Sequence, residues 1–287
     1  MRFAPCALAL VALHVSLAWA QEKVEFPSND ADIAGAPTVI AGRLYRPEGA
    51  GPFPAVVGLH GCAGMLTRDG ASVSPTYAAW AEHLQANGFV VLLVDGFTPR
   101  RVTNVCGAPN PEASPDRVRT RDAYGALLHL QAQPFVRPDG VAVMGWSHGG
   151  GATLFTVAPV APARPAALPN GDFRAAVAMY PGWCRVKEHG AQWKPAIPML
   201  ALLGGADDWT PPEPCLALLE GARSAGAPIE IGVYPGANHA FDSPAGTRTL
   251  ESVRLPSGRS PTVGGDPAAR ADAYRRVVAF LRARLGE

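Results

Sequence analysis

The segment VAVMGWSHGGGATLF, residues 141–155, decides the fold of this chain. Its first four residues are apolar and predict a strand buried on both faces, whereas residues 149–155 predict a helix. The junction Gly145-Trp-Ser-His-Gly149 fits the pattern G-x-S-x-G, which composition alone would produce in roughly one chain in ten. The strand-to-helix context therefore carries the prediction that Ser147 is a nucleophile, the alternative being a serine in an ordinary turn.

The geometry of the turn explains why Gly145 and Gly149 are glycines. A serine at a tight strand-to-helix turn has a strained backbone, and side chains two residues to either side of it would collide. The helix that follows presents main-chain N–H groups and its positive dipole end to a developing oxyanion. We therefore expect the N–H of His148, directly after Ser147, to be one oxyanion donor.

Other apolar runs predict further strands around this segment. Residues 39–45 alternate in polarity before Pro47 and predict an edge strand. Continuous apolar runs separated by helical patterns are typical of a parallel sheet covered by helices. These runs cover residues 55–59, 89–94, 175–179, 197–203 and 229–234.

Helical patterns occupy residues 75–87 and 117–133, and a C-terminal helix is capped by Asp266 with Pro267 at its first position. Strand and helix thus alternate from about residue 53 to the end. This order predicts the α/β class: one mostly parallel, doubly wound sheet flanked by helices, with no large cap domain. Three long loops, residues 96–116, 181–196 and 243–265, follow strands, where such sheets build their binding crevices.

A serine nucleophile needs a base and an acid. His239 follows the predicted strand 229–234, which is where this fold places the base, and Asp207 follows the strand 197–203. The acid holds the imidazole tautomer and stabilises the imidazolium. Asp208 is the alternative acid, and a histidine in an ordinary loop is the alternative for His239. The order Ser147, Asp207, His239 predicts a catalytic triad.

A second oxyanion donor is expected from the loop His60-Gly-Cys-Ala-Gly64, which follows the strand 55–59. The N–H of Cys62 is the candidate, and His60 is interpreted as bracing the loop more than as ionising. Trp146, Trp209 and Arg100 are candidates for the substrate pocket: the tryptophans for an acyl group, the arginine for an anionic group. The alternatives are core packing for the tryptophans and pairing with local acids for Arg100.

The N-terminus predicts export. Arg2, an apolar run over residues 7–19 and Ala18-Trp-Ala20 predict a signal peptide of residues 1–20, the alternative being an uncleaved anchor. Residues 21–287 then form one domain with four cysteines, which predicts two disulfides in any of three pairings, the alternative being buried thiols. The net charge of +1 does not attract nucleic acid or an anionic membrane. A periplasmic or secreted protein is expected, without stable membrane insertion after cleavage.

Together these motifs resemble the dienelactone hydrolase family of α/β-hydrolases, in particular an exported branch with paired cysteines. The resemblance covers nearly the whole mature chain and implies the pairings Cys62–Cys106 and Cys184–Cys215. It rests on LHGCAG (59–64), VDGFTPR (94–100), RDAYGALLHL (121–130), GWSHGG (145–150), GGADDWTPPEPC (204–215) and YPGANHAFD (234–242).

The chain departs from the members of this family that open dienelactones. Those relatives use a cysteine nucleophile and a glutamate near the oxyanion loop, whereas this chain has Ser147 and no carboxylate in LHGCAG. We therefore expect a serine hydrolase that cleaves small carboxylic esters, lactones or polyesters through an acyl-enzyme, without a metal or organic cofactor. A peptidase or acyltransferase on the same triad and a non-catalytic binding protein are the alternatives. The sequence does not specify the acyl group, the leaving group or the oligomeric state.

Overall fold

The structure, a computed structural model, describes residues 21–161 and 163–286, so the predicted signal peptide lies outside the described residues. Within these ranges the chain forms an eight-stranded sheet, a small two-stranded ribbon and seven α-helices. The sheet strands are β1 Glu22–Pro27, β2 Val39–Tyr45, β3 Phe53–Leu59, β4 Val90–Asp95, β5 Val136–Trp146, β6 Ala175–Met179, β7 Met199–Gly204 and β8 Ile229–Tyr234, and the ribbon strands are β9 Arg248–Thr249 and β10 Thr262–Val263. The helices are α1 Ala31–Ala34, α2 Pro75–Ala86, α3 Val118–Gln131, α4 His148–Thr156, α5 Val186–His189, α6 Pro212–Ser224 and α7 Pro267–Leu285.

The large sheet has the strand order β1-β2-β4-β3-β5-β6-β7-β8. The six strands β3 to β8 run parallel to one another, and β1 and β2 are antiparallel to their neighbours. Helices α3, α4 and α6 contribute to the core on one face of the sheet, and α2 and α7 contribute to the core on the other. The predicted mostly parallel, doubly wound sheet is confirmed. Its parallel strands bring the loops after β3, β5, β7 and β8 to the same edge.

The edge of the sheet differs from the prediction. Strand β2 was expected at the edge, but β1 lies outside it and pairs with it from Glu22↔Leu44 to Pro27↔Val39. The run Glu22–Pro27 contains only two large apolar residues, Val24 and Phe26, so its hydrophobic pattern is short. Phe26 is nevertheless buried and belongs to the core. Helix α6 was not assigned from the sequence; it begins at Pro212 and carries Pro214 in its first turn, where proline is tolerated.

Arg100 is buried inside the fold, so the prediction that it is a pocket residue is wrong. Its guanidinium donates to both carboxylate oxygens of Asp122, at 3.0 and 2.9 Å, and to Asp30 at 2.8 Å. All three side chains are at most 5% exposed. The arginine thus joins the loop after β4 to α3 and to the residue before α1. The alternative, a surface arginine paired with local acids, is right only about the pairing: Arg100 is buried, and its partners lie 22 and 70 residues away in the sequence.

None of the helices within residues 21–161 and 163–286 combines the length and the apolar character that a membrane crossing requires.

Replacing Arg100 with Met is expected to destabilise the protein by about 3–5 kcal/mol, because two buried carboxylates lose their shared counter-ion. Urea unfolding followed by tryptophan fluorescence measures this change in the free energy of unfolding. The matched control is Arg101→Met at the exposed neighbouring position, with an expected effect within about 0.5 kcal/mol. Equal unfolding midpoints for the two variants would contradict the assigned role of Arg100.

Candidate active site

Three loops at the carboxyl edge of the sheet bring Ser147, His239 and Asp207 together. Ser147 lies between β5 and α4, Asp207 follows β7 and His239 follows β8. The Ser147 Oγ is 2.9 Å from His239 Nε2, and His239 Nδ1 is 2.7 Å from Asp207 Oδ2. His239 and Asp207 are buried. A carboxylate beside Nδ1 favours the tautomer with the proton on Nδ1, which leaves Nε2 free to accept the serine proton.

The structure distinguishes the two adjacent aspartates. Besides facing His239, the Asp207 carboxylate accepts from the main-chain N–H groups of Trp209 at 2.9 Å and Thr210 at 2.8 Å. The Thr210 hydroxyl lies 2.9 Å from Asp207 Oδ2 and 3.0 Å from His239 Nδ1. Asp208 points elsewhere and accepts from the N–H of Thr262 in β10 at 2.9 Å. Thr210 was missed in the sequence, although Asp-x-x-Thr is a common turn pattern.

The backbone of Ser147 is left-handed, with φ 54° and ψ −112°. Such a conformation is strained for a residue with a side chain and persists only where its surroundings hold it. A Cβ on Gly149 would lie only 2.6 Å from the carbonyl oxygen of His60, and one on Gly145 would collide with the carbonyl of Gly149. The glycines therefore allow α4 to approach both β5 and the loop after β3, as their positions in the motif predict.

The loop after β3 lies against the nucleophile. The N–H groups of Cys62 and His148 have no hydrogen-bond partner among the described residues, and both residues line the cleft that contains Ser147. Gly61 donates its N–H to the Tyr77 hydroxyl at 2.8 Å, and Cys62 accepts from the N–H of Val105 at 2.9 Å. The residues of the two predicted donors thus line the same cleft as Ser147.

Two buried histidines surround these donors. Burial, and next the nearby Arg119 guanidinium, hold the pKa of His60 well below its usual range. Burial and Arg119 likewise lower the pKa of His148, to about 2. Burial lowers the pKa of Arg119 itself to about 10, so it remains a cation at neutral pH. It donates to the carbonyl of His60 and lies 3.1 Å from His148 Nδ1. A neutral, buried His60 agrees with the bracing role expected for it.

Asp242, three residues after His239, is a further buried carboxylate that the sequence analysis did not assign. It accepts from Trp80 Nε1 at 2.7 Å, Trp146 Nε1 at 2.9 Å and the Tyr180 hydroxyl at 2.7 Å. Burial raises its pKa. These bonds join the histidine loop to α2, β5 and the end of β6. The apolar run around Trp146 gave no indication of this partner.

Trp146 does not line the pocket, so the prediction of a substrate contact there is wrong. Its side chain is 1% exposed and packs against Trp80 and Tyr77 in the core. Trp209 does line the cleft, with its ring centroid 4.9 Å from that of His239. Of the three predicted pocket residues, the structure brings only Trp209 to the site.

The cleft around Ser147 has a cavity volume of about 280 Å³ and is flanked by two disulfides. Cys62 pairs with Cys106, and Cys184 pairs with Cys215, with Cα–Cα distances of 4.9 and 4.7 Å. These are the pairings implied by the family resemblance. One disulfide fixes the oxyanion loop to the loop after β4, and the other fixes the loop after β6 to α6. Another cavity, about 350 Å³, lies at the N-terminus of α7 and contains none of the triad residues.

Solved structures similar to this one share its α/β-hydrolase fold. The dienelactone hydrolase-like promiscuous phosphotriesterase P91 from metagenomic libraries superposes with a TM-score of 0.64 at 21% identity, covering 92% of this chain and 99% of that one. Esterase 2 of Thermogutta terrifontis gives a TM-score of 0.62 at 17% identity, covering 91% and 94%. The dipeptidyl peptidase 4 of Porphyromonas gingivalis gives 0.61 at 18%, covering 92% of this chain but only 35% of that one.

The family model of the dienelactone hydrolases matches residues 40–285, so this chain belongs to the dienelactone hydrolase family. Among curated proteins, the thiohydrolase aneE of Aspergillus aculeatus is 32% identical over 116 residues, or 40% of this chain. That match spans about a third of the length of the relative, 32%. The family is one of hydrolases that act on ester bonds.

The two neutral histidines make stability sensitive to mild acid. Below about pH 6.5 an unfolded chain protonates His60 and His148, whereas the folded chain does not, because burial depresses both pKa values. The free energy of unfolding is therefore expected to be highest above pH 6.5. It should fall by up to about 1.4 kcal/mol per pH unit for each histidine as the pH drops.

Urea unfolding at pH 7.5, 6.5, 5.5 and 5.0 measures this loss. Exposed carboxylates titrate below this window, whereas burial raises the pKa values of Asp122 and Asp242, which then act in the opposite direction. A His148→Asn variant, which has one imidazole fewer to titrate, is therefore expected to lose less free energy of unfolding between pH 7.5 and 5.0 than the parent. An equal loss in the two proteins would contradict the assignment of His148 as neutral and buried.

Proposed function

We propose that this protein is a serine carboxylesterase that hydrolyses small esters through an acyl-enzyme on Ser147. The observation that carries the proposal is the continuous relay from Ser147 Oγ to His239 Nε2, 2.9 Å, and from His239 Nδ1 to Asp207, 2.7 Å. A serine, a base and an orienting carboxylate within hydrogen-bond distance are the signature of nucleophilic acyl transfer.

The mechanism follows from the positions of these atoms. His239 Nε2 accepts the hydroxyl proton as Ser147 Oγ attacks the ester carbonyl, and Asp207 stabilises the resulting imidazolium. The N–H groups of Cys62 and His148 bind the oxyanion, and His239 returns its proton to the departing alcohol oxygen. Water then attacks the acyl-enzyme with His239 again as the base, which releases the acid and restores Ser147.

The residues around Ser147 support general ester hydrolysis over dienelactone opening. The nucleophile is a serine hydroxyl, and its relay to His239 and Asp207 supplies the activation that a hydroxyl needs. The oxyanion loop, residues 60–64, contains no carboxylate that would activate a thiol. A cavity of about 280 Å³ is at the small end of ligand pockets, which supports a small-molecule ester as the substrate.

Activity on p-nitrophenyl acetate is expected to fall to the background rate in Ser147→Ala, because the acyl acceptor is lost. Asp207→Asn is expected to lower kcat by about 10³- to 10⁴-fold, because an amide does not hold the required histidine tautomer. Asp208→Asn is the matched control, expected to lower kcat by less than about tenfold, because its amide oxygen still accepts from Thr262. Steady-state assays with p-nitrophenyl acetate measure kcat for the parent and for the three variants.

Two outcomes would contradict this proposal. Folded Ser147→Ala with parental activity would exclude the serine as nucleophile, and a larger loss in Asp208→Asn than in Asp207→Asn would exclude the assigned acid. A p-nitroanilide and a thioester with the same acyl group belong in the assay. Faster cleavage of the anilide than of the ester would favour a peptidase, and faster cleavage of the thioester would favour a thioesterase.

The same proposal includes export. Residues 1–20 serve as a cleaved signal peptide and residues 21–287 as one exported α/β-hydrolase domain in the periplasm or outside the cell. The disulfides Cys62–Cys106 and Cys184–Cys215 support it, because such bonds persist in oxidising compartments.

Expression of the full chain in a bacterium with an oxidising periplasm is expected to release a protein whose N-terminus is Gln21. N-terminal sequencing and intact mass measure the processing site and the two disulfides. A full-length, reduced product retained in the cytoplasm would contradict export.

A further inference from the structure

Trp183 is a large apolar side chain exposed in the active-site cleft. It is 38% exposed and lies in the loop after β6, where it lines the same cavity as Ser147. Most other tryptophans of the described chain have a core role: Trp80, Trp146 and Trp193 are 0%, 1% and 6% exposed. An exposed indole inside a cleft is therefore a feature that core packing does not explain.

The backbone of Trp183 has a conformation that is unfavourable for a residue with a large side chain. Its φ is +53°, a left-handed conformation that is strained for a bulky residue. The segment is fixed on both sides of the ring: Gly182 donates its N–H to the Ser147 carbonyl at 3.1 Å, and Cys184 is bonded to Cys215 of α6. Strain of this kind is retained mainly where a ligand site needs it.

The position of the Trp183 ring indicates which part of the ester substrate it contacts. Its centroid is 4.7 Å from that of His148, whose N–H is the proposed oxyanion donor, and it crosses the first turn of α4. Trp209 lies beside the base, with its ring centroid 4.9 Å from that of His239. Because the leaving oxygen takes its proton from His239, we assign Trp209 to the leaving-group side of the cleft and Trp183, beside the proposed oxyanion donor, to the acyl side.

The chemistry of the cleft indicates what this acyl side accepts. Among its described lining residues, the charged pair is Arg185 and Glu188, 3.9 Å apart at the rim, so their charges offset each other. Val105, Pro181 and Pro214 add apolar surface. A cavity of about 280 Å³ has room for one ring but not for a long extended chain.

We propose, on the basis of the proposed esterase function, that the cleft selects esters of uncharged aromatic acids and that Trp183 is the specificity-determining residue. The flat acyl ring packs on the exposed indole in an offset or edge-on arrangement. Trp209 contacts the alcohol half, which departs before the acyl-enzyme is hydrolysed.

The test compares p-nitrophenyl benzoate, cyclohexanecarboxylate and acetate, which share one leaving group. The parent is expected to have a higher kcat/KM for benzoate than for cyclohexanecarboxylate, a group of similar bulk without a π-face. In Trp183→Ala the benzoate-to-acetate ratio of kcat/KM is expected to fall about tenfold, the upper range for loss of an aromatic pair. Trp183→Phe keeps an aromatic ring and is expected to retain the ratio within about threefold.

Two matched variants separate specificity from stability. Trp193→Phe changes a buried tryptophan of the same loop, whose indole donates to the Leu154 carbonyl at 3.3 Å outside the cleft, and the benzoate-to-acetate ratio should not move. Trp183→Gly removes the ring and relieves the positive φ, so it should lose benzoate selectivity while losing less stability than Trp183→Ala, which keeps the strained φ.

Pre-steady-state kinetics locate the effect in the reaction. Trp183→Ala is expected to slow hydrolysis of the benzoyl-enzyme, because this intermediate keeps the acyl ring after the alcohol has departed. An unchanged benzoate-to-acetate ratio in folded Trp183→Ala, or equal rates for benzoate and cyclohexanecarboxylate, would overturn this inference alone. Acetate hydrolysis that persists in Ser147→Ala, or no hydrolysis of any ester, would overturn the proposed function and the inference with it.

Discussion

The left-handed backbone of Ser147 is the constraint on which the rest of the site depends. With φ 54°, the chain turns from β5 into α4 within one residue, and the hydroxyl stands at the carboxyl edge of the sheet. The turn is possible because Gly145 and Gly149 have no side chains where α4 meets β5 and the His60 carbonyl. The same close approach brings the loop that contains Gly61 and Cys62 against Ser147. One strained residue therefore determines where both the nucleophile and the proposed oxyanion donors lie.

The loops that complete the site are held by interactions that lie outside the proposed chemistry. The carboxylate of Asp242 accepts three side-chain donors and anchors the loop that carries His239. Asp208 bonds to Thr262 and anchors β10, which bridges to His239. The two disulfides fix the loops that flank the cleft. Pre-organisation of this kind keeps a base and a nucleophile within hydrogen-bond distance without rearrangement during the reaction.

The parts of this structure that are local in sequence could be predicted from it. The strand, turn and helix around Ser147, the alternation of strands and helices and the placement of His239 depend on apolar runs and glycine positions that lie close together. Features that depend on distant partners could not. Arg100 and Trp146 lie beside catalytic motifs, but their roles are set by Asp122 and Asp242, which no nearby pattern indicates. Likewise, β1 was missed because its sequence has a weak hydrophobic pattern. It is a strand mainly because it pairs with β2. The exposure of Trp183 depends on a backbone angle that composition does not encode.

The central claim is that Ser147 carries the acyl group during turnover, and trapping that intermediate tests it most directly. The protein is mixed with p-nitrophenyl acetate, quenched in acid within the first turnover and analysed by intact mass and peptide mapping. The account predicts a single added acetyl group on the peptide that contains Ser147, absent from Ser147→Ala and decaying as p-nitrophenol release reaches its steady state. An acetyl group on another residue, or hydrolysis without any covalent intermediate, would contradict it.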